Sequence, residues 1–196
     1  MLATNVRVQT PPAEEPISLN EAKAHMRIVV NDEDALINRL IAAARRQCER
    51  VARRSFVTRT LEAILDDWPH DEVIALPYPP LASVTSIKYM DTGGVEHTVS
   101  ASDYIVDAHT QPGRVTPTFG RHWPSTTLQP MAAIVVRYVT GFGAASAVPE
   151  EYKQAMLLYV AHLYENREAV IVQQGITAKE LPMAVEALLL ADRGSF

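Results

Sequence analysis

Residues 148–170 read VPEEYKQAMLLYVAHLYENREAV, and this stretch decides the fold because its helical spacing is the most regular in the chain. Apolar side chains recur every three or four residues and predict one buried stripe: Tyr152, Ala155, Met156, Tyr159, Val160 and Leu163. Further apolar residues extend around most of the circumference: Leu157, Leu158, Ala161 and Tyr164. A helix with this pattern must be buried on more than one side, so we expect a second subunit to cover part of it.

The polar end of this predicted helix places His162 and Glu165 one turn apart, followed by Arg167 and Glu168. Side chains at this spacing share a helix face, and they would suit two ligands of one metal ion. The sequence offers no second half-motif for the remaining ligands. A polar pairing network at the end of a structural helix is therefore the favoured interpretation.

Two further helices are predicted near the N-terminus. Ser18 and Glu21 form the S-x-x-E pattern of a capping box, which begins the first. The stretch NDED (31–34), with three acidic residues, begins the second helix, where negative charge is favourable to the helix dipole. Its apolar stripe comprises Ile37, Leu40, Ile41, Ala44, Cys48 and Val51. A place in this stripe makes Cys48 a core residue rather than a nucleophile.

Seven arginines gather in and after the second helix: Arg39, Arg45, Arg46, Arg50, Arg53, Arg54 and Arg59. They form either a solvated basic face or a docking patch for an acidic partner surface or phosphate. Because no aromatic residues interleave with them, we do not expect a stacking platform for single-stranded nucleic acid.

The spacing changes to period two between residues 57 and 140, where six or seven short strands and a DTGG hairpin turn at 91–94 are predicted. The expected fold is therefore α+β. Residues 17–56 and 148–193 form a helical core, in which an N-terminal helix pair packs with C-terminal helices. Residues 57–147 form an inserted antiparallel β-rich subdomain. Residues 1–16 contain three prolines and are predicted to be an extended N-terminal arm, either unpacked or lying on a neighbour.

The composition and the motifs argue against several classes of protein and several kinds of site. A net charge of -5 over 196 residues argues against a general nucleic-acid binder. The single cysteine permits neither an internal disulfide nor a cysteine-based zinc cage. The sequence shows no signal peptide and no apolar run of membrane-spanning length, so we expect a soluble protein made in the cytoplasm. Nucleotide-binding and hydrolase motifs are also missing, and no cofactor is expected.

An ordered series of segments carries a family resemblance: ISLNEAKAHMRI (17–28), DEDALINRLIAAARRQCE (32–49), IALPYPPLASVTSIKYMDTGG (74–94), VVRYVTGFG (135–143), VPEEYKQAMLLYVAHLYENRE (148–168) and LPMAVEALLLADR (181–193). Together they resemble the phage head–tail connector (head-completion or adaptor) family. The similarity is to the branch with a β-rich insertion, found in prophages and gene transfer agents.

This resemblance implies a non-enzymatic protein at the head–tail junction of a phage or gene transfer agent particle. Family members form a ring, typically of twelve copies, below the portal, extend the DNA channel, and present a surface to a tail-side stopper or tail-terminator protein. DNA would pass through the lumen without sequence-specific binding, and no membrane is involved. We assign a subunit or portal interface to eleven residues: Arg45, Arg46, Arg50, Arg53, Arg54, Tyr159, His162, Glu165, Arg167, Leu188 and Arg193.

Two other function classes remain open. One is a small metal-dependent hydrolase that uses His162 and Glu165 with a carboxylate such as Asp66. The other is a DNA-binding accessory protein that uses the Arg39–Arg59 cluster.

Overall fold

The computed structural model of the chain describes residues 5–166 and 182–190 and has a mixed α+β fold in those ranges. It divides into two compact units. The β unit comprises the chain up to Ala13 together with Arg53–Phe142, and the helical unit comprises Glu14–Ala52 and the chain from Gly143 onward. The chain passes between the units three times, and the last two crossings lie a few residues before the predicted boundaries at 56/57 and 147/148.

The first helix of the helical unit, α1 (Leu19–Met26), begins at the predicted capping box. Ser18 Oγ accepts a hydrogen bond from the Glu21 amide at 3.2 Å, and Glu21 Oε2 accepts one from the Ser18 amide at 2.6 Å. These bonds lower the pKa of Glu21, the backbone bond at Ser18 contributing most. The helix ends at Arg27, whose φ of 58° is left-handed.

The long helix α2 (Asp34–Ala52) follows after a short turn. Lys23 of α1 is buried and secures this turn by donating to Asn31 at 2.6 Å and to Asp34 at 2.7 Å. The buried residues of α2 include most of the predicted stripe: Ile37, Ile41, Ala44 and Cys48, extended by Ala52. Leu40 and Val51 are only half-buried.

Helix α3 (Glu150–Glu165) follows a single 3₁₀ turn at Ala145–Ala147, and α4 (Met183–Leu190) packs against both α2 and α3. The residues of α3 that are fully buried lie on one face: Tyr152, Ala155, Met156 and Val160. Tyr159 and Leu163, which the pattern had placed in the same stripe, are half-buried. The helix therefore keeps partly exposed apolar surface on its other sides.

The β unit contains two antiparallel sheets among the described residues. The five-stranded sheet has the order β1 (Asn5–Thr10), β2 (Arg59–Leu65), β8 (Ile134–Thr140), β4 (Leu81–Met90), β5 (Glu96–Val99). The three-stranded sheet has the order β3 (Ile74–Leu76), β7 (Gly113–Pro117), β6 (Tyr104–Asp107). The predicted DTGG turn joins β4 to β5, and Asp91 Oδ1 accepts from the amides of Gly93 and Val95.

Alternation along the strands sets the core of the β unit. Leu61, Ala63 and Leu65 of β2 face the same core as Ile134, Val136 and Tyr138 of β8. Trp68 and Trp123 stack at the edge of this core with ring centroids 4.8 Å apart. The residues between the core positions, Glu62 and Arg137 among them, belong to the opposite face of the sheet.

The predicted N-terminal arm requires correction. Residues 5–10 are a strand of the sheet rather than an unpacked arm, with Val6 opposite Ala63 and Arg7 opposite Glu62. The physical reason is that β2 would otherwise present an edge of unpaired amides and carbonyls, which β1 satisfies. Most side chains of β1 are nonetheless exposed, so β1 is itself an edge strand.

The last strand of the β unit, β8, begins at Ile134. Ala132 has a φ of 51°, and its amide donates to Asp66 Oδ1 at 2.7 Å, so residues before Ala133 form a turn. Within residues 5–166 and 182–190, none of the helices combines the length and apolarity needed to cross a bilayer.

Candidate interaction surfaces

The arginines of α2 divide into buried and exposed groups. Arg45 is buried, and its Nε and Nη2 donate to Glu15 at 2.7 and 3.3 Å while its Nη1 donates to Glu49 at 3.0 Å. Burial alone would lower the pKa of Arg45, but the two carboxylates raise it and the guanidinium stays charged. Arg46 and Arg50 are exposed on the same helix, and Arg50 also donates to Gln47.

The arginines that follow α2 belong to the β unit. Arg54 and Arg59 are buried there, Arg59 Nε donating to Ser55 Oγ at 2.9 Å and its guanidinium lying 5.5 Å from the centre of the Tyr78 ring. Arg53 is exposed and has a φ of 52°. The seven arginines therefore do not form the single basic face that was one interpretation of the sequence, because three of them are used inside the fold. The exposed members are Arg39, Arg46, Arg50 and Arg53.

The structure brings Arg50, Tyr159 and His162 together on α2 and α3. Burial raises the pKa of Tyr159, and the neighbouring positive charge of Arg50 opposes that change. The Tyr159 and His162 rings lie nearly parallel with centroids 6.3 Å apart. These three residues, with exposed Arg46, are called the α2–α3 surface below.

The polar end of α3 is occupied by local contacts. Asn166 Nδ2 donates to the His162 carbonyl at 2.8 Å and lies 3.3 Å from His162 Nδ1, and Tyr164 donates to Glu33. Glu165 is exposed. Among residues 5–166 and 182–190, no three histidine, cysteine or acidic side chains are grouped closely enough to hold a metal ion. Leu188 is half-buried on α4, and Arg167 and Arg193 lie outside the described residues.

The β unit contains a charged cluster that was not predicted from the sequence. Glu62 has 1% of its side chain exposed, and it accepts from Arg7 Nε at 2.5 Å and from Arg137 Nη2 at 2.8 Å. Burial raises the pKa of Glu62, but the hydrogen bonds from Arg137 and Arg7 outweigh burial, so the pKa lies below its ordinary value. The signal was present in the strand patterns VRV (6–8), LEA (61–63) and VRY (136–138), each with one charge between apolar neighbours.

Comparison with known proteins places this fold in a family. The model of the family described as "Head completion protein" matches residues 15–190. A chain in the neck of an empty gene transfer agent (GTA) particle, computed with C6 symmetry, is 25% identical; the match covers 96% of this chain and 94% of that one, with a TM-score of 0.76. A chain in the neck of a native GTA particle, computed with C12 symmetry, is 22% identical, with coverages of 95% and 94% and a TM-score of 0.74.

A third solved structure, of the virion of a native GTA particle, contains a chain that is 22% identical, with 92% coverage of both chains and a TM-score of 0.73. A search of curated proteins finds no match. The family model spans far more than half of the sequence, from the α1 region to the end of α4. The chain therefore belongs to the head completion protein family.

Proposed function

We propose that this chain is a non-enzymatic structural adaptor at the head–tail junction of a phage or gene transfer agent particle. Copies form a ring below the portal, twelve in number, which extends the DNA channel and joins head to tail. The observation that carries this proposal is the likeness of nearly the whole chain to a neck chain of a GTA particle, together with the family match.

The helical unit supports side-by-side assembly. Leu157, Leu158 and Leu163 of α3 are half-buried within one copy, and Met183 of α4 is 86% exposed. Apolar surface left over in this way marks a surface that another protein covers. In this proposal the helical unit is the core of the subunit and the β unit is inserted into it.

One polar surface of the helical unit is available for a partner. The α2–α3 surface presents Arg46 and Arg50 with Tyr159 and His162, the arginine and tyrosine types that are enriched in protein interfaces. We assign it, together with Glu165 and Leu188, to a subunit or portal contact, while the tail-side stopper or tail-terminator protein binds the opposite end of the ring. DNA passes through the lumen, where a net charge of -5 per copy disfavours adhesion of phosphates.

Deletion of the coding sequence tests the proposal. We expect DNA-filled heads and separate tails that do not join, counted by electron microscopy, and recovery of joined particles when the wild-type chain is supplied in trans. A matched complementation with His109→Ala, an exposed position in the β unit, should restore joining fully. Joined particles in the deletion strain at the wild-type level would refute the adaptor function.

A further inference from the structure

The outer face of the five-stranded sheet carries an arginine pair held by one carboxylate. Arg7 of β1, Glu62 of β2 and Arg137 of β8 lie directly opposite one another in register. Glu62 Oε2 accepts from Arg7 Nε at 2.5 Å, while Oε1 accepts from Arg137 Nε at 3.0 Å and Nη2 at 2.8 Å. One carboxylate therefore pairs with two guanidinium groups, and the cluster keeps one positive charge that is not neutralised.

Both guanidinium groups have donors to spare. Each guanidinium has five N–H donors in a planar fork. Arg7 uses its Nε, Arg137 uses Nε and one donor of Nη2, and within the described part of the chain their other donors bind no acceptor. Side-chain exposure is 60% for Arg7 and 41% for Arg137, so these donors are open to a partner. Because buried Glu62 restrains both side chains, the pair is oriented in advance for a planar carboxylate.

Three other cations on or beside the strands of the β unit each pair with one acid: Lys88 with Glu96, Arg114 with Asp107, and Arg121 with Asp103. Arg59 of β2 is buried against Ser55 and the Tyr78 ring. The cluster at Glu62 differs from these one-to-one pairs because two exposed arginines share a single carboxylate.

The loop after β2 carries two carboxylates that have no cationic partner among the described residues. Asp66 and Asp67 are exposed, and their carboxylates accept only from the backbone amides of Ala132 and Trp68 at 2.7 and 2.8 Å. Neither has a cationic partner in the part of the chain that the structure describes. The β unit thus presents a pair of arginines that share one carboxylate and a loop whose two carboxylates have no cationic partner among the described residues.

We propose that the Arg7–Arg137 pair is a carboxylate-binding site that receives the Asp66–Asp67 loop of a second copy of this chain. The inference rests on the proposed function, in which copies assemble side by side. A contact between two different surfaces of identical subunits repeats from copy to copy and forms a ring when its rotation closes. The loop cannot serve its own arginines, because Asp66 follows Glu62 by four strand positions, about 13 Å along the chain, and is tied to Ala132.

A DNA phosphate is the less favoured ligand. A protein that follows a DNA backbone neutralises several phosphates with a run of basic side chains. Here the surplus is a single charge on a chain whose net charge is -5. A single carboxylate from an acidic loop would neutralise that one positive charge, whereas the many phosphates of a duplex would be repelled by the negative charge of the rest of the chain.

Site-directed cross-linking tests the contact. Gln9→Cys and His70→Cys, exposed positions close in sequence to Arg7 and Asp67 that leave the charged groups in place, are combined in the full chain. A short bis-maleimide is applied to the purified protein at rising concentration and to purified particles. We expect dimers and a ladder of higher oligomers from the double variant, at least about tenfold above either single variant, and less product at high salt. The parent protein is the background control, because its only cysteine, Cys48, is buried.

Charge reversal provides a second measurement that does not alter the buried cluster. Asp67→Lys should weaken self-association or incorporation into particles by about tenfold, and Asp32→Lys, an equally exposed acid of the helical unit, should change it by less than about twofold. Equal cross-linking by the single and double variants would overturn the inference, as would no ladder in either sample. Loss of binding to a 30-base-pair duplex probe in Arg7→Gln, with self-association unchanged, would assign the arginine pair to DNA instead.

The two proposals fail separately. If particles join without the chain, the adaptor function falls while a ladder from the purified double variant still supports the contact. If joining needs the chain but the double variant cross-links no more than the single variants, only the contact falls.

Discussion

The Glu62→Gln substitution gives the sharpest test of how the β unit is stabilised. The change keeps the size of the side chain but replaces a carboxylate that bridges Arg7 and Arg137. A neutral amide retains one oxygen acceptor, and its NH₂ group would face the other guanidinium donor. The two arginines then lie on either side of an uncharged group, each without its counter-ion.

The size of the loss follows from the geometry. A hydrogen bond to a charged group contributes about 1.5–3 kcal/mol, and Glu62 makes three such contacts with 1% of its side chain exposed. The arginines are about half exposed to water, which screens the interaction and discounts a simple sum. We expect the free energy of unfolding of the β unit to fall by about 2 kcal/mol.

Tryptophan fluorescence during urea unfolding measures this unit selectively, because both tryptophans of the chain, Trp68 and Trp123, belong to it. The matched control is Glu96→Gln on the same sheet, whose carboxylate is 54% exposed and pairs with Lys88. An exposed pair of this kind contributes less than about 0.5 kcal/mol. Equal urea midpoints for Glu62→Gln and Glu96→Gln would show that buried Glu62 stabilises the β unit no more than an exposed ion pair does.

The pH dependence provides a second criterion. Because the folded-state pKa of Glu62 lies below its unfolded value, its stabilisation is present above the unfolded pKa of about 4.3 and is lost as pH falls through the lower folded-state pKa. The glutamine variant has no such group to protonate. The difference between wild type and Glu62→Gln should therefore shrink in acid, and a difference that stays constant through this range would contradict the assignment.

Three further predictions concern packing and chemistry. Met156→Ala, at a fully buried position of α3, should lower the free energy of unfolding of the helical unit by about 2–4 kcal/mol, and Leu157→Ala, at a half-buried position, should lower it clearly less. Helical circular dichroism during thermal unfolding measures both losses. Equal losses would contradict the burial pattern. Gly141→Ala should destabilise the β unit by more than about 2 kcal/mol, because the φ of Gly141 is 122° and an added Cβ would lie 2.6 Å from the Val57 carbonyl oxygen. Urea unfolding measures this loss. An unchanged free energy of unfolding would show that the end of the strand adjusts to the added Cβ. Burial raises the pKa of Cys48 to about 12, so the native thiol should resist a disulfide reagent at pH 8 and react on unfolding in urea, while rapid native labelling would contradict its burial.

Local patterns predicted much of the fold. The Ser18–Glu21 capping box acts over three residues, and the structure contains both of its hydrogen bonds. The apolar spacing of 148–170 predicted the helix α3, and the family resemblance drawn from the ordered segments is confirmed by the match over residues 15–190. The capping box and the helix depend on neighbours within one or two helical turns, and the resemblance depends on the order of segments, so a single sequence contains the information for all three.

The interface assignments stay predictions, and the structure changes their basis. The sequence places seven arginines close together along the chain, but in the structure Arg45, Arg54 and Arg59 are buried and the other four are exposed. Whether a charged side chain faces solvent or a partner inside the fold depends on which distant residue lies opposite. Glu15, for example, binds Arg45 from 30 residues away.

The sequence by itself determined where the helices start, which strands alternate, and which family the order of segments belongs to. Only the tertiary structure decided that residues 5–10 complete a sheet and that Arg7, Glu62 and Arg137 meet on its outer face. These partners are separated by 55 and 75 residues. Strand order and register bring them together, and period-two alternation states which face a residue occupies but not which strand lies beside it.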